Sequence, residues 1–547
     1  MKTAETPRQR ITLFQLAVPF CAVIAFLGIV YPKQFAATIQ DITGSAFATL
    51  DWFFMLSVTG FLILCIVLAL SPYGKLKLGK PEDEPDFSTV SWLAMLFAAG
   101  MGVGLLFWGV AEPLTHYASP PVGTAKSPVA ARQALVITNF HWGLHAWAVY
   151  CIGALVLAYF RYRRGEPYLA GSPIRSAFRG KWVGPVAGLA DLIAVLAVTF
   201  GVAGSLAMGV FQLHVGLHVA TGFVPLNSDW MAIGLLVLLF FSYMGSAATS
   251  LAKGIQYLSN INMALAMLLM LFVLLTGPTP FLLRGFVTTI GDYTSSLGGM
   301  TLRLYPYRQL SSWFGSWTLI YFLWWIAWAP FVGIFIARIS KGRTIREFVI
   351  GVLFVPTVFS LFWFAIFGGM GIYEETYGEG GLADLVKEDV TVALFSLFDT
   401  LPMSALLSTV AVILIYIFVV TSVDSATFVL GMLTSKGSMN PPTSQKLTWG
   451  IILAGLGGAL VLSKNIEVVR AGAISFAIPL TLILHLQVAG LLRVLRSDVD
   501  VVGQKGIQKS VENTPPDKQQ SNPPSGENPE TPSSQQDGQP NPEGGQS

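Results

Sequence analysis

The chain is a succession of long apolar runs joined by short polar connections. A helix that crosses a bilayer needs about 20 mostly apolar residues. Twelve stretches answer that description: Thr12–Val30, Asp51–Leu70, Val90–Val110, Ala134–Phe160, Val183–Val210, Met231–Leu251, Tyr257–Thr276, Trp313–Ala337, Phe348–Met370, Met403–Met432, Trp449–Leu462 and Ala471–Leu492. The eleventh is short as drawn, because Thr448 and Lys464 flank it closely. Unbroken runs predict helices; a membrane barrel would alternate apolar and polar positions over about ten residues. The first run follows Lys2, Arg8 and Arg10 and so imitates a signal peptide, but it is too long for a signal core and reads as a retained helix. Two connections are more than loops. Phe281–Ser312 mixes apolar and basic residues and predicts an interfacial helix, and Asp389–Leu401 predicts a short amphipathic piece before the tenth span.

Composition narrows the class. Charged residues make up 12% of the chain and hydrophobic ones 53%, with a mean hydropathy of +0.62. A soluble domain carries about 25% charge, so a soluble multidomain enzyme and a nucleic-acid binder built on basic patches are both excluded. Lysine and arginine gather on alternate connections. One side holds Lys75, Lys77 and Lys80, then Arg161, Arg163 and Arg164, then Lys341, Arg343 and Arg346; the other is sparse. The basic side is expected to be cytoplasmic. An even number of spans puts both termini there, in a multi-pass protein of a bacterial-type inner membrane. Cys21, Cys65 and Cys151 lie within apolar runs and offer neither a disulfide framework nor metal spacing. From Ser497 the chain turns into a tract of Pro, Gln, Ser, Asn and Gly with three lysines against eight acidic residues. That predicts a disordered, acidic cytoplasmic tail, which anionic lipid repels.

Chemistry enters at four places. The third span contains Gly100-Met101-Gly102-Val103-Gly104, where alternating glycines weaken a helix in mid-membrane. Such a break frees carbonyls to line a cavity or hold an ion; close packing of small residues is the other reading. The eighth span runs from Ser316-Trp317-Thr318 to Trp328-Ala329-Pro330, with Trp324, Trp325 and Trp328 clustered ahead of the proline. An interfacial aromatic belt would use tryptophan too, but indole faces also hold a quaternary ammonium by cation–π attraction of about 0.5–2 kcal/mol per ring. The fourth span supplies Trp142, Trp147 and Tyr150, which can close the same box; its His141 and His145, like His214 and His218 beyond, read as packing or hydrogen-bonding histidines. The tenth span carries Thr421-Ser422-Val423-Asp424-Ser425, whose hydroxyls suit a sodium ion, while Asp424 is either functional or a structural hydrogen-bonding residue. Gly201, Ser205 and Gly209 on the fifth span form a small-residue face for helix packing.

Taken with Ala111-Glu112-Pro113, Phe140-His141-Trp142 and Ala337-Arg338-Ile339-Ser340-Lys341-Gly342-Arg343-Thr344-Ile345-Arg346-Glu347, these motifs resemble the betaine/carnitine/choline transporter family from about Thr12 to Leu492, nearest in motif to its sodium-coupled glycine betaine carriers. The resemblance implies an all-α polytopic fold of twelve transmembrane helices with a LeuT-type 5+5 inverted repeat, helices 3–7 and 8–12. The chain then divides into a cytoplasmic N-terminus (1–11), two leading helices (12–89), a first repeat (90–276), an external connection (277–312), a second repeat (313–496) and the tail (497–547). It implies a substrate box of Trp142, Trp147, Tyr150, Trp324, Trp325 and Trp328 beside Gly102 and Gly104. It also implies a sodium site from the carbonyls of Ala98 and Met101, the backbone of Phe418, and the hydroxyls of Thr421 and Ser422. Gly104 stands where several choline or carnitine carriers are acidic, which favours a zwitterion. Val198 and Val202 stand where the family's second sodium site has hydroxyls, and Gln256 stands where its sodium-independent antiporters have arginine. Phe322 replaces a usual tryptophan, and relatives form trimers.

The expectation is therefore a secondary transporter, not an enzyme, with no cofactor beyond sodium as coupling ion. It imports glycine betaine or a similar quaternary-ammonium zwitterion by symport, with the lipid bilayer and a homotrimer as its surroundings and no nucleic-acid partner. A proton-coupled or exchange-type carrier of choline or carnitine is the alternative, and an osmosensing channel-like protein is the alternative from another class.

Overall fold

The computed structural model describes residues 12–100, 102–226, 228–249, 252–307 and 310–512, with main chain alone at 97–100, 249, 252–256 and 499–512. Eleven of its helices are long and apolar enough to cross a membrane. The third span is not among them; it is described as two shorter helices, Thr89–Gly100 and Val103–Ala118, with Met101 between them outside the described residues. Gly102, in extended conformation with φ −163° and ψ 176°, caps the second of them. The broken span completes the twelve.

Several of the other spans are longer than the apolar runs that announced them. The second begins at Pro32, and the ninth covers Ile345–Tyr377. The eleventh starts at Thr443, so Thr448 lies inside the helix rather than at its edge. The fourth is interrupted at Gly143, between Pro128–Trp142 and Leu144–Arg164. The external connection forms the helix Thr279–Met300, and its Tyr293 hydroxyl accepts the Leu144 N–H that the interruption frees (3.0 Å). Arg132 fastens the same helix through Asp292 (2.7 Å), and the guanidinium holds that carboxylate below its ordinary pKa. The piece before the tenth span is amphipathic as expected, with Ser396 and Asp399 on its more exposed side. Ala393, Leu394, Phe395, Leu397 and Phe398 are all buried, because it wedges between the second half of the third span and the tenth span.

Packing repeats between the two groups of five spans. The fourth span packs on the eighth, and the ninth on the third. The eleventh packs on the fifth, and the sixth on the tenth; the twelfth packs on the fifth, and the seventh on the tenth. Adding five to the first-group number and subtracting five from the second-group number turns each pairing into its counterpart, and an offset of five spans reverses direction across the membrane. The most extensive interfaces, fourth with eighth and fifth with tenth, form the centre of the molecule.

The chain divides into a unit Met1–Leu495 and a second unit Arg496–Ser547. The last helix runs Ala477–Glu512, so helical backbone continues past Ser497, where the tail was expected to lose order. Residues 513–547, and the N-terminal stretch 1–11, lie outside the described residues.

Candidate functional site

A cavity of about 1270 Å³ occupies the centre. That is larger than the ~300–1,000 Å³ common for a small-ligand pocket, because it combines a deep aromatic end with a path that reaches the exposed Arg338 and Asn440. Gly102, Gly104, Trp142, Trp147, Tyr150, Trp324, Trp325 and Trp328 all line it, so the third, fourth and eighth spans bring the eight substrate-box candidates to one space.

The rings form a connected set. Trp142 and Trp325 meet edge to face with centroids 4.9 Å apart. Tyr150 stands 5.9 Å from Trp325 and 5.4 Å from Trp147. Trp324 lies nearly parallel to Trp325, at 6.0 Å and 7°. Small residues let this happen. A Cβ on Gly104 would sit 3.0 Å from Trp142, and one on Gly201 of the fifth span would sit 3.2 Å from Trp328. A Cβ on Gly209 would collide with Val419 of the tenth span. The small-residue face of the fifth span thus serves close packing, and Ser205 within it also reaches the cavity.

The sodium-site candidates are partly assembled. Phe418, Thr421 and Ser422 line the cavity. The Thr421 hydroxyl donates to the Ile417 carbonyl (2.8 Å), which leaves its lone pairs for a cation. Ala98 lies in the last turn of the helix that stops at the glycine break, and Met101 lies outside the described residues. Val198 and Val202 are buried, and the nearby Thr199 hydroxyl donates to its own helix at Val195 (2.7 Å). Gln256 falls where only main chain is described. Asp424 lines the cavity too, hydrogen-bonded to Ser246 and near the charge of Lys446.

One group escaped the sequence reading. Glu112 is fully buried, and both its oxygens are taken: His141 Nδ1 donates to Oε1 (2.6 Å), and Trp142 Nε1 donates to Oε2 (2.8 Å). His141 Nε2 pairs with the Thr318 hydroxyl (3.0 Å), and its carbonyl accepts the Trp325 indole N–H (2.8 Å). His116 lies 3.5 Å from Glu112. Glu112, His116 and His141 are close enough to hold a metal ion, but hydrogen bonds already engage both Glu112 oxygens and both His141 nitrogens. His145 does not join His141; it stacks on Phe322 (5.6 Å, 9°), as a packing histidine does. His214 and His218 bond the carbonyls of Pro225 and Val224. The signal for Glu112 was present in principle, since an ionisable residue inside a span is a functional candidate by default.

The sequence profile of the BCCT, betaine/carnitine/choline family transporter, matches residues 12–500. The chain is 42% identical over 489 residues to the glycine betaine transporter OpuD of Bacillus subtilis, covering 89% of this chain and 94% of that one. It is 40% identical over 499 residues to a glycine betaine transporter of Acinetobacter baylyi, covering 91% and 75%. It is 38% identical over 475 residues to an ectoine/hydroxyectoine transporter of Virgibacillus pantothenticus, covering 86% and 94%. The chain belongs to the betaine/carnitine/choline transporter family, whose members are multi-pass membrane transporters and not enzymes.

Proposed function

We propose that this transporter imports a trimethylammonium zwitterion of the glycine betaine class by sodium symport. The observation that carries the reading is the aromatic box and the hydroxyls of Thr421 and Ser422 on the walls of one cavity. A quaternary ammonium cannot donate hydrogen bonds, so ring faces are the complement it needs. Gly104 leaves the box without a carboxylate of its own there, which suits a ligand that already carries one.

Sodium would bridge the broken third span and the tenth span through oxygen donors, a hard-ligand set that suits a hard cation. Each ligand then binds better when the other is present, and that reciprocal coupling makes a sodium gradient usable. One sodium per cycle fits the buried valines at 198 and 202. The cavity reaches the face where the basic connections gather, so the structure corresponds to a cytoplasm-facing form in the orientation that charge asymmetry favours.

Uptake into proteoliposomes decides the reading. Labelled glycine betaine should accumulate under an inward sodium gradient and not when potassium replaces sodium, with unlabelled choline, carnitine, ectoine and dimethylsulfoniopropionate as competitors. Thr421→Ala should weaken the sodium dependence, and Val198→Thr should leave it unaltered. Equal uptake in sodium and potassium overturns symport. Strong competition by ectoine and none by trimethylammonium compounds overturns the substrate class.

A further inference from the structure

The box holds its rings in place by more than packing. Trp142 and Trp325 are its facing pair, one from the fourth span and one from the eighth. Their indole N–H groups do not serve the cavity: Trp142 donates to Glu112 Oε2, and Trp325 donates to the main-chain carbonyl of His141. His141 is itself held at both ring nitrogens, by Glu112 and by Thr318. Glu112 therefore controls one indole directly and the other through a single intervening residue.

The local backbone explains why such a tether is needed. Trp142 is the last residue before the interruption at Gly143, so helix continuity does not fix it on its C-terminal side. Thr318 lies in the π-helical turn Gly315–Leu319 that opens the eighth span. Trp142 thus hangs beside irregular backbone, and the glutamate with its histidine ties that interruption to the π-helical turn of the eighth span.

We propose that Glu112 is a positioning residue for substrate recognition, acting by hydrogen bonds through Trp142 and His141 and not by attraction of its charge for the ammonium. The inference rests on the reading of the aromatic box as the ammonium site. A glutamine at 112 can keep the whole network: its amide oxygen accepts from Trp142, and its amide N–H donates to His141 Nδ1 once the imidazole takes its other tautomer. A leucine at 112 fills a similar volume and supports neither bond.

The test compares Glu112→Gln, Glu112→Leu and Trp142→Phe in full-length protein, by glycine betaine titration of tryptophan fluorescence, thermal melting and uptake kinetics. Positioning predicts that Glu112→Gln binds within about threefold of wild type, whereas Glu112→Leu loses about tenfold or more. Trp142→Phe, which keeps a ring and loses only the indole N–H and its bicyclic extent, should raise the apparent KM severalfold while keeping the maximal rate. Glu112→Gln as damaged as Glu112→Leu would show that charge is the cause and overturn the proposal. Unchanged KM in Trp142→Phe overturns it as well, even where Glu112→Leu does not fold. Wild-type protein that binds no glycine betaine removes the box reading and this inference together; wild-type binding with all three variants unaltered removes this inference alone.

Discussion

Trp325 combines three constraints: its ring meets Trp142, Tyr150 and Trp324, its indole N–H is held by His141, and it still borders the cavity. On the proposed reading of the box, deleting the ring removes one cation–π partner and loosens the other three. Trp325→Ala is expected to raise the apparent dissociation constant for glycine betaine about tenfold, near the ~1.4 kcal/mol that one desolvated ring supplies. Trp328→Leu should act in the same direction, since Trp328 borders the cavity independently of that ring set. Fluorescence titration of the purified variants measures both, and unaltered affinity in both would reject the box. These residues were legible in the sequence because each announces its chemistry by type, and spacings of three or four put them on shared helical faces. Glu112 was not legible in the same way. Its hydrogen-bond partners His141 and Trp142 come from the fourth span, and no periodicity along the third span points to them.

At the scale of elements, hydropathy located the spans well and their ends poorly. Hydropathy registers where apolar residues begin, whereas the helix begins where hydrogen bonding does, as at Thr344 with its reciprocal Glu347 cap ahead of the ninth span. The break in the third span was readable from its glycines, which give up the helix most cheaply. The interruption at Gly143 was not, because it depends on Tyr293 arriving from another helix to satisfy the freed N–H. Close approach of the fifth and tenth spans rests on small residues and gives a quantitative expectation. Gly209→Leu drives a side chain into Val419, and overpacking of this kind costs about 1–3 kcal/mol. Gly184→Ala on the same helix meets nothing within 4 Å and serves as its control. Thermal unfolding in detergent should lower the midpoint for the first and not for the second; equal midpoints would mean the two spans are not closely packed.

For the whole molecule, the two ends of the transport path differ. Toward the basic connections the cavity reaches Arg338, Asn440 and Lys446. Toward the other end the path is filled. Glu112, His116 and His141 are fully buried there, and Arg470 is 2% exposed. The Arg470 guanidinium lies over the rings of Trp108 (5.0 Å) and Trp317 (4.8 Å) and donates to the Ser316 carbonyl (2.6 Å). A side chain at Ser425, on the cavity wall, is therefore reachable from one face only. The three native cysteines are fully buried and give a silent background for thiol chemistry. In Ser425→Cys, a membrane-impermeant thiol reagent should label the protein in inside-out vesicles and spare it in right-side-out ones. Sodium with glycine betaine should slow that labelling, because closure around the substrate narrows the open end. The reverse sidedness would invert the assigned orientation, and equal labelling from both faces would contradict a path sealed at the Arg470 end.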